Sequence, residues 1–178
     1  MAYDHWNTPE FIVVRLHKIE PVTIDPCSNK QSIVRAKTEI RRPKNGLKAH
    51  WTGHTYVNPP FSDIFPWIYR AVNEVFSKKG LRHITLFIPH SPETKYWQLI
   101  YQLTPAGSRR NEQVKTAYAV FPQRVRLNKA KIKKGEKFIS PMVSNTVVYI
   151  GLYPEKFVNA FGDICTIITN WTYPTCGR

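Results

Sequence analysis

Thr55-Tyr56-Val57-Asn58-Pro59-Pro60-Phe61-Ser62 is the stretch on which the reading of this chain turns. Its first three residues are β-branched or aromatic and predict a strand. Two prolines then stop the strand and stiffen the turn, removing two backbone donors. Ser62 or Asp63 is placed to cap a helix running to about Ser77, with Phe65, Ile68, Val72, Val75 and Phe76 at helical spacing. The turn therefore joins a strand to a helix. It leaves an outward carbonyl at Pro59, an amide at Asn58 and a ring at Phe61.

Such a turn suits a planar exocyclic amine. An amino group of this kind donates two hydrogens, and carbonyl oxygens of Asn58 and Pro59 can accept both. Pro60 holds the corner, and Phe61 can stack on a base that has left its duplex. The competing view is a proline-braced corner with no binding role.

Upstream, Val22-Thr23-Ile24 predicts a short strand ending at Asp25-Pro26, and Thr8-Pro9 predicts a helix start, with Thr8 as cap. Phe11, Val14, Leu16 and Ile19 are the expected buried side of that helix. Ser32 to Ile40 offers a helix, and Pro43-Lys44-Asn45-Gly46 a turn. Downstream, His83 to Ile88 is a buried strand ending at Pro89, followed by a helix over Glu93 to Leu103 carrying Trp97. Strands are also expected at Ala117 to Phe121, Val125 to Leu127, Asn145 to Leu152 and Ile164 to Thr169, with a short helix at Glu155 to Phe161. Ser144-Asn145-Thr146 is read as turn chemistry. The pattern predicts one α/β domain over 1–178, with a mixed sheet and late antiparallel strands. Ligand sites in such sheets lie beyond the carboxyl ends of the strands, which puts Asp25, Asn58 and Pro89 on one rim.

Charge narrows the partner. Lys and Arg number 26 against 12 Asp and Glu, for a net charge of +14. A field of that sign attracts polyanions and binds them by releasing condensed counterions. The cations gather in two stretches. Residues 28–54 hold Lys30, Arg35, Lys37, Arg41, Arg42, Lys44 and Lys48, while 105–141 holds Arg124, Arg126, Lys129, Lys131, Lys133 and Lys134. Both are expected to touch DNA phosphates, setting affinity rather than sequence choice. The three cysteines and six histidines show no metal-ligand spacing, so no metal is expected. No apolar run approaches the ~20 residues of a membrane span.

Taken in order, several short motifs resemble the phage-type DNA N6-adenine methyltransferases. They are Trp6-Asn7-Thr8-Pro9, Asp25-Pro26-Cys27-Ser28-Asn29, Trp51-Thr52-Gly53, Val57-Asn58-Pro59-Pro60-Phe61-Ser62, Trp67 with Ala71, and Leu86-x-x-Pro89 followed by Thr94 and Trp97. The similarity runs from about Trp6 to Ile150. It implies a compact Rossmann-like methyltransferase fold, S-adenosylmethionine as cofactor, double-stranded DNA as partner and a cytoplasmic setting in a bacterial or phage-infected cell. It further implies that Trp6, Thr8 and Pro9 line the methionine end of the cofactor, with Asp25, Pro26 and Cys27 as its first loop. Asn58 to Phe61 would then hold the target adenine. From the residues alone, Trp6 is equally a ligand wall or a core residue, and Cys27 a small packing residue.

The chain departs from the family in three places. The loop from Asp25 to Ser32 has no glycine, only 33 positions separate Asp25 from Asn58, and Gln123-Arg124-Val125-Arg126-Leu127 replaces a Gly-Arg-Ile-x-Phe pattern. These departures keep open a DNA-binding protein without catalysis. Asn-Pro-Pro-aromatic turns also serve RNA and protein-glutamine methyltransferases, so the substrate class stays open as well.

Overall fold

The computed structural model describes residues 6–75, 81–103, 114–125, 128–129 and 144–169, with backbone alone at 81–82 and 128–129. The Gly80 helix end, the 105–113 loop, most of the late cationic loop and Cys176 lie outside these residues.

Nine strands and four helices appear among the described residues. In chain order they are β1 (Trp6–Asn7), α1 (Glu10–Ile19), β2 (Ile24–Asp25), β3 (Thr38–Glu39), β4 (Gly53–Val57), α2 (Phe65–Val75), β5 (Leu81–Pro89), α3 (Lys95–Tyr101), β6 (Lys115–Val120), β7 (Asn128–Lys129), β8 (Asn145–Gly151), α4 (Pro154–Phe161) and β9 (Thr166–Thr169). Seven form one sheet in the order β3-β2-β4-β5-β8-β6-β9. β3, β2, β4 and β5 run parallel, and β8, β6 and β9 join by antiparallel pairing. The predicted mixed sheet with late antiparallel strands is thus present, in an α/β build consistent with a methyltransferase-like fold.

Helices cover both faces. α2 and α3 pack Trp67, Ile68, Ala71, Trp97 and Ile100 against one side of the sheet, with Val57, Leu86, Val148 and Ile150. α1 and α4 pack Ile12, Leu16, Phe157 and Phe161 against the other, with Tyr56, Phe87, Val147 and Tyr149. β4, β5 and β8 are therefore buried on both faces, as central strands between two helical layers must be.

Four local expectations are corrected. Thr8 is not a helix cap: α1 follows Pro9 with no side-chain cap bond, and the Thr8 hydroxyl turns inward to Tyr56. The buried face of α1 is Ile12, Val13, Leu16 and Ile19, whereas Phe11 and Val14 are exposed. Four consecutive apolar residues, Phe11 to Val14, leave the phase of the helix undecided in sequence. Residues 32–40 form no helix. Asn29 Oδ1 accepts from the Gln31 amide at 2.8 Å and Ser32 Oγ from Val34 at 3.3 Å. These side-chain turns compete with helical bonding, and the chain then pairs β3 beside β2. Finally, a short 3-10 turn at Phe61–Asp63 precedes α2, so neither Ser62 nor Asp63 caps it directly, and Phe65 is exposed.

At the amino end of the central strands, the rings of His54 and His83 meet at a 40° tilt with centroids 4.3 Å apart, both buried. Burial holds His54 neutral, lowering its pKa to about 4. Among the described residues no His, Cys, Asp and Glu group of metal-binding size occurs, and no helix is long and apolar enough to cross a membrane.

Candidate active site at the carboxyl rim

The parallel run of β2, β4 and β5 brings Asp25, Asn58 and Pro89 to the same rim, as their strand ends predict. The side chains there are linked into one network. Asn58 Nδ2 donates to the Trp6 carbonyl at 3.0 Å and to Thr8 Oγ1 at 3.3 Å. Thr8 Oγ1 in turn lies 2.6 Å from the buried Tyr56 hydroxyl. Both amide hydrogens of Asn58 are thereby directed toward the N-terminal segment. The amide is fixed with Oδ1 as its remaining polar atom, and no donor among the described residues reaches Oδ1.

The main-chain carbonyl of Asn58 has a different task. It accepts from Cys27 Sγ at 3.2 Å, and the Cys27 amide donates to Asp25 Oδ1 at 3.1 Å. Cys27 is thus a bridge between the Asp25 loop and the Asn58 turn, which its packing role in the sequence did not suggest. The acceptor at Asn58 is its side chain. No hydrogen bond among the described residues engages the Pro59 carbonyl, although Pro59 itself is buried. Pro60 accepts from Asp63 at 3.1 Å, closing the turn. Phe61 is half-buried and packs one side on the α1/α4 core. Trp6 is half-buried against the same core. Asn7 and Asn29 fasten the segment to the first loop through a 2.8 Å side-chain bond.

Asp25 is 3% exposed, and burial raises its pKa from 3.8 to about 7, against the opposing bond from the Cys27 amide. Among the described residues no cation forms an ion pair with it. The rim therefore holds a buried acid with no ion-pair partner among the described residues.

Sequence reading missed Gly46. A Cβ on this residue would lie 1.6 Å from the Pro26 carbonyl oxygen, so the 3-10 turn at Gly46–Lys48 sits directly on the Asp25-Pro26 corner. Trp51 Nε1 donates to the Gly46 carbonyl at 3.0 Å, and Arg70 lies over the Trp51 ring while bonding the Leu47 and Ala49 carbonyls. The close approach at Pro26 is thus made by a glycine twenty residues later. Gly53 completes the Trp51-Thr52-Gly53 motif at φ 57, where a Cβ would meet Thr23 Oγ1 at 2.4 Å. Gly46→Ala is expected to destabilise the fold by about 1–3 kcal/mol or more through overpacking. Urea denaturation measures this, and an unchanged midpoint would show that Pro26 yields freely.

The cationic residues divide. Lys30, Arg35, Lys37, Arg41, Arg42, Lys44 and Lys48 are all exposed, and Arg41 pairs with Glu39. Arg124 is exposed, whereas Arg126, Lys131, Lys133 and Lys134 lie outside the described residues. Lys129 is described in backbone only, paired antiparallel with Trp6 in β1. The late cationic segment therefore starts beside the strand whose carbonyl holds Asn58.

Fold and rim together define an α/β protein of methyltransferase-like build, with an Asn-Pro-Pro turn at the mouth of its parallel strands. The family described as DNA N-6-adenine-methyltransferase (Dam) matches residues 1–106, more than half of the chain, and the protein belongs to that family. The matched span contains Trp6, Thr8, Asp25, Cys27, Tyr56 and Asn58, which the rim network links. Among curated proteins none matches the chain.

Proposed function

We propose that the protein transfers a methyl group from S-adenosylmethionine to adenine N6 in double-stranded DNA, with Asn58-Pro59-Pro60-Phe61 holding the extruded base. The observation that carries this reading is the orientation of the Asn58 amide. Its two hydrogens are spent on Trp6 and Thr8, so Oδ1 is the acceptor offered at the rim. Oδ1 and the Pro59 carbonyl would take the two N6 hydrogens, aiming the nitrogen lone pair away from the ring plane. Pro60 keeps the corner rigid, and the exposed side of Phe61 stacks on the purine. Catalysis on this view is chiefly positioning. Asn58 Oδ1 and the Pro59 carbonyl would hold the amine hydrogens in place while the cofactor supplies the methyl group, and the surplus N6 proton would pass to solvent. No acid or base with a tuned pKa is needed.

The cofactor, when bound, supplies an electrophilic methyl on a sulfonium. The rim fits such a group: a buried carboxyl at Asp25, without an ion-pair partner among the described residues, suits a cationic, hydrogen-donating ligand. Trp6, Thr8 and Pro9 would flank its methionine end, and the Asp25-Pro26-Cys27 corner, braced by Gly46, its other side. Exposed cations of residues 35–48, with Arg124, Arg126, Lys129, Lys131, Lys133 and Lys134, would hold phosphates on either side of the mouth.

The deciding experiment incubates the protein with DNA and methyl-labelled cofactor and digests the product to nucleosides. Label in N6-methyldeoxyadenosine supports the assignment; label on another base, or none, overturns it. Calorimetry with the cofactor separates the remaining alternative. DNA binding without cofactor heat would mark a DNA-binding protein that lacks catalysis. Lys133→Glu combined with Lys134→Glu should weaken DNA binding and reduce its salt slope by about two, roughly one per lost phosphate contact. An unchanged slope removes that loop from the interface.

A further inference from the structure

Asn145 opens β8 directly opposite Pro89, at the rim that carries Asn58. Its side chain is 2% exposed, and neither Oδ1 nor Nδ2 has a hydrogen-bond partner among the described residues. A buried amide normally satisfies its donors and acceptor, and an unsatisfied one costs stability without return unless a ligand completes it. Its neighbour behaves conventionally: Thr146 Oγ1 lies 2.8 Å from His90 Nδ1.

The strand pattern fixes which face Asn145 occupies. Along β8, Val147 and Tyr149 pack in the core with Tyr56 and Phe87, while Val148 and Ile150 pack on the opposite side. Alternation puts Asn145 with Val147, on the face of Tyr56 and of the Phe61 ring. Only β5 lies between β8 and β4, two strand spacings or about 10 Å across, and Asn145 stands about 7 Å farther along the strands than the Asn58 level, so the two are about 12 Å apart. A purine ring seated between the two amides would span that gap.

We propose that Asn145 is a second polar contact of the base pocket, donating from Nδ2 to a ring nitrogen of the extruded adenine beside its amine. This rests on the methyltransferase reading above, in which Asn58 and Pro59 take the amine itself. The ring nitrogens flanking N6 are N1 and N7, and both are acceptors.

The test compares the full-length protein with Asn145→Leu, which keeps the volume and removes the amide. Methylation is measured on DNA containing adenine, 7-deazaadenine or 1-deazaadenine, and thermal stability is followed in parallel. The wild type should lose about tenfold or more in kcat/KM on one of the two analogues. Asn145→Leu should lose a similar factor on adenine, stop distinguishing that analogue, and melt at a higher temperature because an unsatisfied buried amide is gone. A merely structural asparagine would not alter analogue discrimination. Equal wild-type rates on all three substrates, or undiminished discrimination in Asn145→Leu, overturns the proposal. A wild type that methylates no base sinks the methyltransferase reading instead. Binding then decides: equal affinity of both proteins for a duplex with an unpaired adenine, relative to one with an abasic site, overturns the role of Asn145.

Discussion

Asn58→Ala is expected to lower kcat for adenine methylation by about 100- to 1000-fold, the loss that follows removal of one pre-positioned polar contact to a developing charge. Non-specific DNA affinity should stay within about twofold, because the exposed cations proposed to bind phosphate are untouched. The physical reason lies in the direction of the Asn58 amide. Its donors are anchored to the Trp6 carbonyl and Thr8, so the acceptor is held before any substrate arrives. Asn58→Asp should also fail, although it keeps an acceptor. It would set a carboxylate oxygen against the Trp6 carbonyl and lose the anchor. Single-turnover methylation and a DNA-binding titration measure the two quantities separately. Near-normal turnover in the alanine variant would end the assignment of the turn.

How far these features can be seen in sequence depends on what kind of interaction makes them. The central strands were legible because Thr55-Tyr56-Val57 and His83 to Ile88 are bounded by prolines, and their ends give the rim directly. The resemblance also named the residues that the rim gathers. Thr8 was misread because Thr-Pro before an apolar run is the ordinary signature of a capped helix. Only the fold shows Tyr56 and Asn58 waiting for its hydroxyl. The 32–40 segment has helix-compatible composition, yet Asn29 before it and its own Ser32 hold the backbone in turns. Local propensity lost there to side-chain competition and to pairing with β2.

Gly46 and Asn145 show a second limit. Each matters through a residue distant in sequence: Gly46 through the Pro26 carbonyl, Asn145 through its station opposite Pro89. Gly46 resembles an ordinary turn glycine after Pro43-Lys44-Asn45, and Asn145 an ordinary residue before a strand. No periodicity distinguishes a glycine needed for close approach from one needed for a turn, nor a buried amide from a solvated one. The Trp51-Thr52-Gly53 motif held the available signal. A tryptophan beside a glycine implies that something packs closely nearby, and here the indole holds the Gly46 turn in place.

Asp25→Asn is expected to stabilise the protein without cofactor, and to do so more at high pH. The Asp25 pKa in the folded protein is raised to about 7 from 3.8, chiefly by burial. In the unfolded chain the group ionises first, so wild-type stability declines as pH rises from about 4 and levels off above about 7. An uncharged asparagine removes that slope. The stability gap between variant and wild type should widen by roughly 2 to 3 kcal/mol between pH 5 and pH 8.5. For a chain of this size that is roughly 4–10 °C in the difference of melting temperatures. Asparagine keeps an oxygen for the Cys27 amide, so the corner should survive, but its NH2 is a new buried donor that subtracts from the gain at every pH equally. The pH dependence of the difference, not its absolute size, is therefore the diagnostic. Calorimetric scans of both proteins at the two pH values, with a cofactor titration at pH 8.5, test stability and binding together. Greater stability accompanied by weaker cofactor binding would mean that this acid is retained for its ligand at the fold's expense. A melting difference that does not change with pH would show that Asp25 ionises as freely in the folded protein as in the unfolded chain, and the case for a charged group awaiting a cationic partner would fail with it.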